Sequence, residues 1–235
     1  MTRAQPPQQP PPQQRLRVRY AKRGRARFAS HRDIGRAIER ALRRAEIPMA
    51  YSSGFSPHPR ISYANASPTG AASESEYLEL GFATRLDPEW VVVQLNLALP
   101  TGLVVLAAAE ASSGSLSDQL TASRWRIEVP GVRREDAERA VAELLAQAEY
   151  GVQRMTKTGM RAFDVRSAIL SLQVLADAGL DLISAIDSPL VRPDDVVQAL
   201  SAVHEGFRPG DPPVYTRLAH GTYDGVSVVD PIPIG

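Results

Sequence analysis

The sequence predicts an α+β protein made of two tandem ferredoxin-like (βαββαβ) units behind a disordered N-terminal tail. Three observations carry this reading. Strand-period and helix-period segments follow the order β-α-β-β-α-β, and the order then repeats. The first helix of each half has apolar residues at the same six offsets: Ile34, Ala37, Ile38, Ala41, Leu42 and Ala45, then Ala137, Ala140, Val141, Leu144, Leu145 and Ala148. Residues 4–14 are only Pro, Gln and Ala, which cannot build a core. The implied divisions are a tail over 1–14, a first unit over 15–111, a linker over 112–120, a second unit over 121–222 and an extension over 223–235.

The elements follow in order. Leu16, Val18 and Tyr20 alternate with Arg15, Arg17 and Arg19, the period of a strand with one buried face. Ser30 with Asp33 three residues on gives a capping pattern, and a helix runs from there to about Glu46 before Pro48. ISYANA and EYLELGF read as strands. Glu74 and Glu76 either blunt an edge strand after the SPTG turn or pair with basic residues. Asp87-Pro88 opens a helix to about Leu99, and a buried strand covers 103–109. In the second half, RWRIEVPG is a strand, AILSLQVL and LDLISAID form a hairpin, Pro193-Asp194-Asp195 opens a helix, and VYTRLAHG closes as a strand.

In both halves the connection after the first helix is long and basic: GFSPHPR in one, YGVQRMTKTGMRAFDVR in the other. Gly54 permits a sharp turn, and Pro57 and Pro59 stiffen the first of these loops. Phe55 either stacks on a base or plugs the core, and Arg60 is placed to meet a phosphate. Asp164 and Arg166 in FDVR read as an ion pair at a strand start.

Hydrophobic residues make up 43% and charged residues 23%, ordinary for a globular chain. No run of about 18 apolar residues is present and no leader pattern stands at the N-terminus, so no membrane partner and a cytoplasmic location are expected. With no cysteine the chain has no disulfide, thiolate zinc site or iron–sulfur ligand of its own. No histidine pattern suggests a metal, no phosphate-loop or nucleophile-elbow motif occurs, and no cofactor is expected.

The net charge of +1 conceals segregation. Residues 15–60 hold 13 basic residues against three acids, while 61–235 hold 13 against 23. That predicts an anionic partner, RNA above all, for the N-terminal part. The candidate contacts are Arg15, Arg17 and Arg19 on an open sheet face, then Lys22, Arg23, Arg25 and Arg27. Ser30, His31 and Arg32 lie at the helix start, where backbone N–H groups favour an anion. Arg36, Arg40 and Arg43 follow on one helical face, and Phe55, His58, Arg60, Lys157, Arg161 and Arg166 complete the set from the two loops. His31 and His58 also form a candidate acid–base pair for metal-free RNA cleavage, with a surface and a structural histidine as the alternative.

The G-x-x-R-F-x-S-H-x-D block (Gly24 to Asp33), the E-R-A-L-R-R-A block (Glu39 to Ala45) and GFSPHPR together resemble the bacterial radical-SAM-associated domain of unknown function. That domain is found fused to, or encoded beside, B12-binding-type radical SAM proteins. FDVR and VRPDD match more loosely, and Arg32 stands where a leucine is expected. The resemblance implies a radical SAM protein as partner, which would carry the cluster. The expected function is therefore an RNA-binding accessory protein for a radical SAM RNA-modifying enzyme, acting on tRNA or ribosomal RNA. The alternatives are the metal-free endoribonuclease and an adaptor that docks the radical SAM protein without RNA. The tandem arrangement is also similar to CRISPR repeat-processing endoribonucleases, at the level of fold alone.

Overall fold

A computed structural model describes residues 8–156 and 159–232. Lys157 lies outside the described residues. The protein is mixed α+β and divides into two units, residues 8–118 with 231–232, and residues 119–230.

The first unit contains β1 (Gln14–Lys22), α1 (His31–Arg44), β2 (Ile61–Ala64), β3 (Ala72–Phe82), α2 (Pro88–Ala98) and β4 (Leu103–Glu110). Its strands are antiparallel in the order β4-β1-β3-β2. The register sets Leu16 against Leu80, Val18 against Leu78 and Arg17 against Glu79. Leu16, Val18, Leu78, Leu80 and Phe82 bury one face under Ile34, Ile38 and Leu42 of α1 and Val91 and Leu95 of α2. Period-two alternation then sends Arg15, Arg17 and Glu79 to the opposite face. Ser30 caps α1, its hydroxyl accepting the Asp33 N–H, and Asp87 caps α2 the same way through Glu89. A short 3₁₀ turn covers Gly24–Phe28.

Two expectations change here. β3 is an inner strand rather than an edge strand, because β2 pairs along its far side. The polar tail also joins the fold before residue 15. The Gln13 N–H donates to the Phe82 carbonyl (2.9 Å), and the Gln14 side chain bonds Leu86 and Glu110. A proline-rich stretch lacks donors, but these glutamines retain theirs and use them.

The second unit contains β5 (Ala122–Glu128), α3 (Arg134–Leu145), β6 (Gly151–Thr156), β7 (Gly159–Asp164), β8 (Ile169–Val174), β9 (Leu180–Ala185), α4 (Pro193–Val203), β10 (Val214–Tyr223) and β11 (Val228–Val229). The sheet order is β10-β5-β9-β8, with β11 on β10, and β6–β7 stands as a separate hairpin. Residues 151–156 and 159–164 of the segment expected to be a basic loop are therefore strands. Val152 and Phe163 pair across it and are both buried. Arg154 anchors it, forming an ion pair with the buried Asp195 of α4, donating to the Leu190 carbonyl (3.1 Å) and lying over the Phe163 ring. The FDVR segment also differs from expectation. Asp164 accepts backbone N–H bonds from Tyr150, Arg166 and Ser167, while the Arg166 guanidinium reaches the Leu145 and Ile169 carbonyls. Burial pushes the Asp164 carboxyl up, but those donors outweigh it and hold it below the usual range.

Among the described residues, no helix is long and apolar enough to cross a membrane. Gly102, just before β4, has φ +93°, and a Cβ there would stand 2.7 Å from the Arg23 carbonyl oxygen. Gly102→Ala is expected to destabilise the chain by roughly 1–3 kcal/mol in urea unfolding monitored by circular dichroism.

Candidate nucleic-acid interface

The basic residues of the first unit fall into two sets. On the sheet face opposite the helices, glutamates of β3 hold the arginines of β1. Arg15 donates to Glu79 at 3.0 Å, and Arg17 lies 3.6 Å from the same carboxylate. Arg17 is only 2% exposed and also donates to Ser112 and to the Gly114 carbonyl. The open arginine face expected from alternation is thus closed at Arg17 by the 112–114 segment. Arg19 donates to the Glu74 carbonyl, and Arg23 grips the Glu74 carboxylate with two nitrogens, which raises its own pKa. Lys22 is buried, its ammonium directed to the Pro68 carbonyl.

The second set remains in solvent. Ile34, Ala37, Ile38, Ala41 and Leu42 bury one face of α1, so Arg32, Arg36, Arg40 and Arg43 occupy the other. They lie about 6 Å apart along the axis for each four-residue step. Arg36 and Arg43 approach Asp33 and Glu39 only at 4.0 Å, and among the described residues Arg32 and Arg40 make no ion pair. Exposed Arg25, and Arg27 resting over the Phe28 ring at 4.6 Å, extend the basic surface past the helix start.

The α1 N-terminus is capped. The Ser30 hydroxyl accepts from the Asp33 backbone and donates to its carboxylate, which these bonds and the charges of Arg36 and Arg32 hold below the usual range. An anion here would meet that carboxylate, so the structure does not assemble Ser30, His31 and Arg32 into a phosphate site. His31 instead stands edge-on to Tyr63, with ring centroids 4.9 Å apart. Burial, then the Glu39 charge, pushes the Tyr63 phenol up to about 12.

GFSPHPR forms the tip and one side of a rigid finger over residues 50–60. Ser52 and His58 are tied twice, Ser52 N–H to the His58 carbonyl (2.8 Å) and His58 N–H to the Ser52 hydroxyl (3.0 Å). Tyr51 bridges Pro59, Arg60 N–H donates to Ala50, and the Arg60 guanidinium donates to the Tyr51 carbonyl at 3.1 Å. Phe55 stands at the tip, 66% exposed, so it does not plug the core. His58, Arg60, Arg15, Ser62 and Glu79 line an open groove of about 600 Å³ beside the finger.

His31 and His58 serve opposite faces of the sheet. His31 touches Tyr63, which packs on the helical side, while His58 shares the groove with Ser62 and Glu79 on the other. The structure does not bring these imidazoles into one site. In the second unit Arg161 is exposed on β7, whereas Arg166 is committed to carbonyl groups. Among the described residues, no group of three or more His, Asp or Glu side chains is placed to hold a metal. The residues that sequence reasoning missed are Glu79, Ser52 and Ser62. Glu79 alternates with Leu78 and Leu80, which was a readable signal of its face; the two serines carry none.

The fold and this surface define a two-unit α+β protein with a basic helix and a proline-stiffened finger. Residues 15–193 match a family described as uncharacterized protein conserved in bacteria (DUF2344), and the chain belongs to that family. No curated protein matches it.

The remaining histidines are structural. His204 bonds Glu143 at 3.0 Å. His220 on β10 is buried, and burial, then the Arg217 charge, lowers its pKa from 6.5 to about 2. The unfolded chain binds a proton below about pH 6.5 that the folded chain refuses, so stability is lost as pH falls below that value, by up to about 1.4 kcal/mol per pH unit. Unfolding free energies from urea titrations at pH 7 and pH 5 should differ by about 2 kcal/mol from this group, and His220→Asn should shrink the difference by that amount.

Proposed function

We propose that the chain is an RNA-binding accessory protein of a radical SAM RNA-modifying enzyme in the cytoplasm, taking structured RNA such as tRNA or ribosomal RNA. It binds chiefly through the outer face of α1 and through the finger. The observation that carries this is the stripe of Arg32, Arg36, Arg40 and Arg43, exposed and weakly countered, while β3 glutamates hold Arg15, Arg17 and Arg23. Four guanidinium groups on a rigid helix displace counterions from a phosphate backbone at little ordering cost. Both units read as ferredoxin-like, since each has βαββαβ order and the sheet order last-first-third-second, leaving aside the β6–β7 hairpin and β11.

The partner half of the proposal rests on the family resemblance and on α2. Trp90, Val93 and Leu97 form an exposed apolar stripe at helical spacing, with Leu97 77% exposed. A protein partner would cover it and supply the cluster that a chain without cysteine has no thiolates to hold.

The four-fold substitution Arg32, Arg36, Arg40 and Arg43 to Gln should weaken structured-RNA binding in filter or anisotropy titrations. The slope of log affinity against log salt should become shallower by about 3. An unchanged slope would refute the assignment. Leu97→Glu should abolish co-purification with a co-expressed radical SAM protein and leave RNA affinity within about twofold.

A further inference from the structure

We propose that the groove beside the finger seats one internal linkage of a single-stranded RNA segment, with its phosphodiester on Arg15 and Arg60 and a base against the prolines and the His58 ring. The choice of ligand rests on the RNA reading above; the groove itself is a separate surface, on the face of the sheet away from α1. Its volume of about 600 Å³ suits a nucleotide.

Charge defines the class further. The walls carry two guanidinium groups and one carboxylate, with Arg15 already bonded to Glu79 at 3.0 Å. The balance of one positive charge, before His58 is counted, matches a singly charged phosphodiester better than a doubly charged terminal phosphate. Arg60 uses its Nε on the Tyr51 carbonyl, which fixes the side chain and leaves its two terminal nitrogens for a ligand. Pro11, Pro12 and Pro59 supply flat apolar walls, and Pro12 stands close over Gly81, where a Cβ would come within 3.2 Å of it. The groove leads to a finger tipped by Phe55, a surface for the next base. A duplex presents its bases already stacked and paired, so only an unpaired segment can use these walls.

The experiment is fluorescence anisotropy with a labelled tetraribonucleotide and, in parallel, a structured RNA hairpin. Arg60→Ala should weaken tetranucleotide binding about tenfold. Ser62→Trp, which fills the groove from an exposed strand position without removing charge, should do the same. Arg85→Ala removes another exposed guanidinium of the unit, one paired with Glu110 away from the groove, and should change it less than twofold. Equal effects of Arg60→Ala and Arg85→Ala, or an unaltered affinity in Ser62→Trp, would overturn the groove assignment. Hairpin binding without tetranucleotide binding would also overturn it while leaving the RNA reading intact, and failure of both RNAs to bind would remove both.

Discussion

Two carboxylates on β3 decide where the positive charge of the first unit is available. Glu79 lies opposite Arg17 in the sheet register and holds Arg15 as well, and Glu74 holds Arg23. Without these pairs, β1 would present a row of like charges at two-residue spacing on a partly buried face, which is costly. With them, the face is neutral enough to be covered, and Arg17 is buried with its nitrogens on the 112–114 segment. The charge left weakly countered is that of α1, where the carboxylates approach only to 4.0 Å, and of Arg60 on the finger. A segment whose sequence reads as uniformly basic is thus sorted by pairing into a structural half and an available half.

The finger depends on backbone bonding as much as on proline. Pro57 and Pro59 fix two φ angles, but neither ring can close the loop. The closure comes from the reciprocal Ser52–His58 bonds and from Arg60 and Ala50, which tie the finger to β3 through Gly81. A loop held this way loses little entropy on binding, so an exposed Phe55 on it is a more effective contact than the same residue on a mobile segment.

Much of this architecture is legible in the sequence because it follows from periodicity and caps. Ser30, Asp87 and Pro193 begin helices where their chemistry predicts, and Leu16, Val18 and Tyr20 bury where alternation places them. What periodicity does not carry is partner choice across the chain. Arg17 and Arg40 are alike in sequence, yet one is buried and the other exposed, because Glu79 and the 112–114 segment meet only the first. The β6–β7 hairpin was hidden for a related reason. Its basic composition suggests a solvated loop, and its order comes from Val152 against Phe163 and from Arg154 reaching Asp195, 41 residues on.

The two units give the same connection two different constructions. After the first helix, unit one builds a finger joined to its sheet through Gly81, and unit two builds a hairpin outside its sheet, anchored by Arg154 to Asp195 and Leu190 near the start of α4. The finger's cations, Arg60 and the nearby Arg15, keep nitrogens directed to a groove. The hairpin's principal cation is consumed in holding the hairpin down, and Arg166 below it is consumed on the Leu145 carbonyl. The two basic segments therefore differ in where their guanidinium groups find acceptors. The asymmetry leaves the first unit with more guanidinium groups open to solvent, and Arg161 as the exposed guanidinium of the second hairpin's described residues.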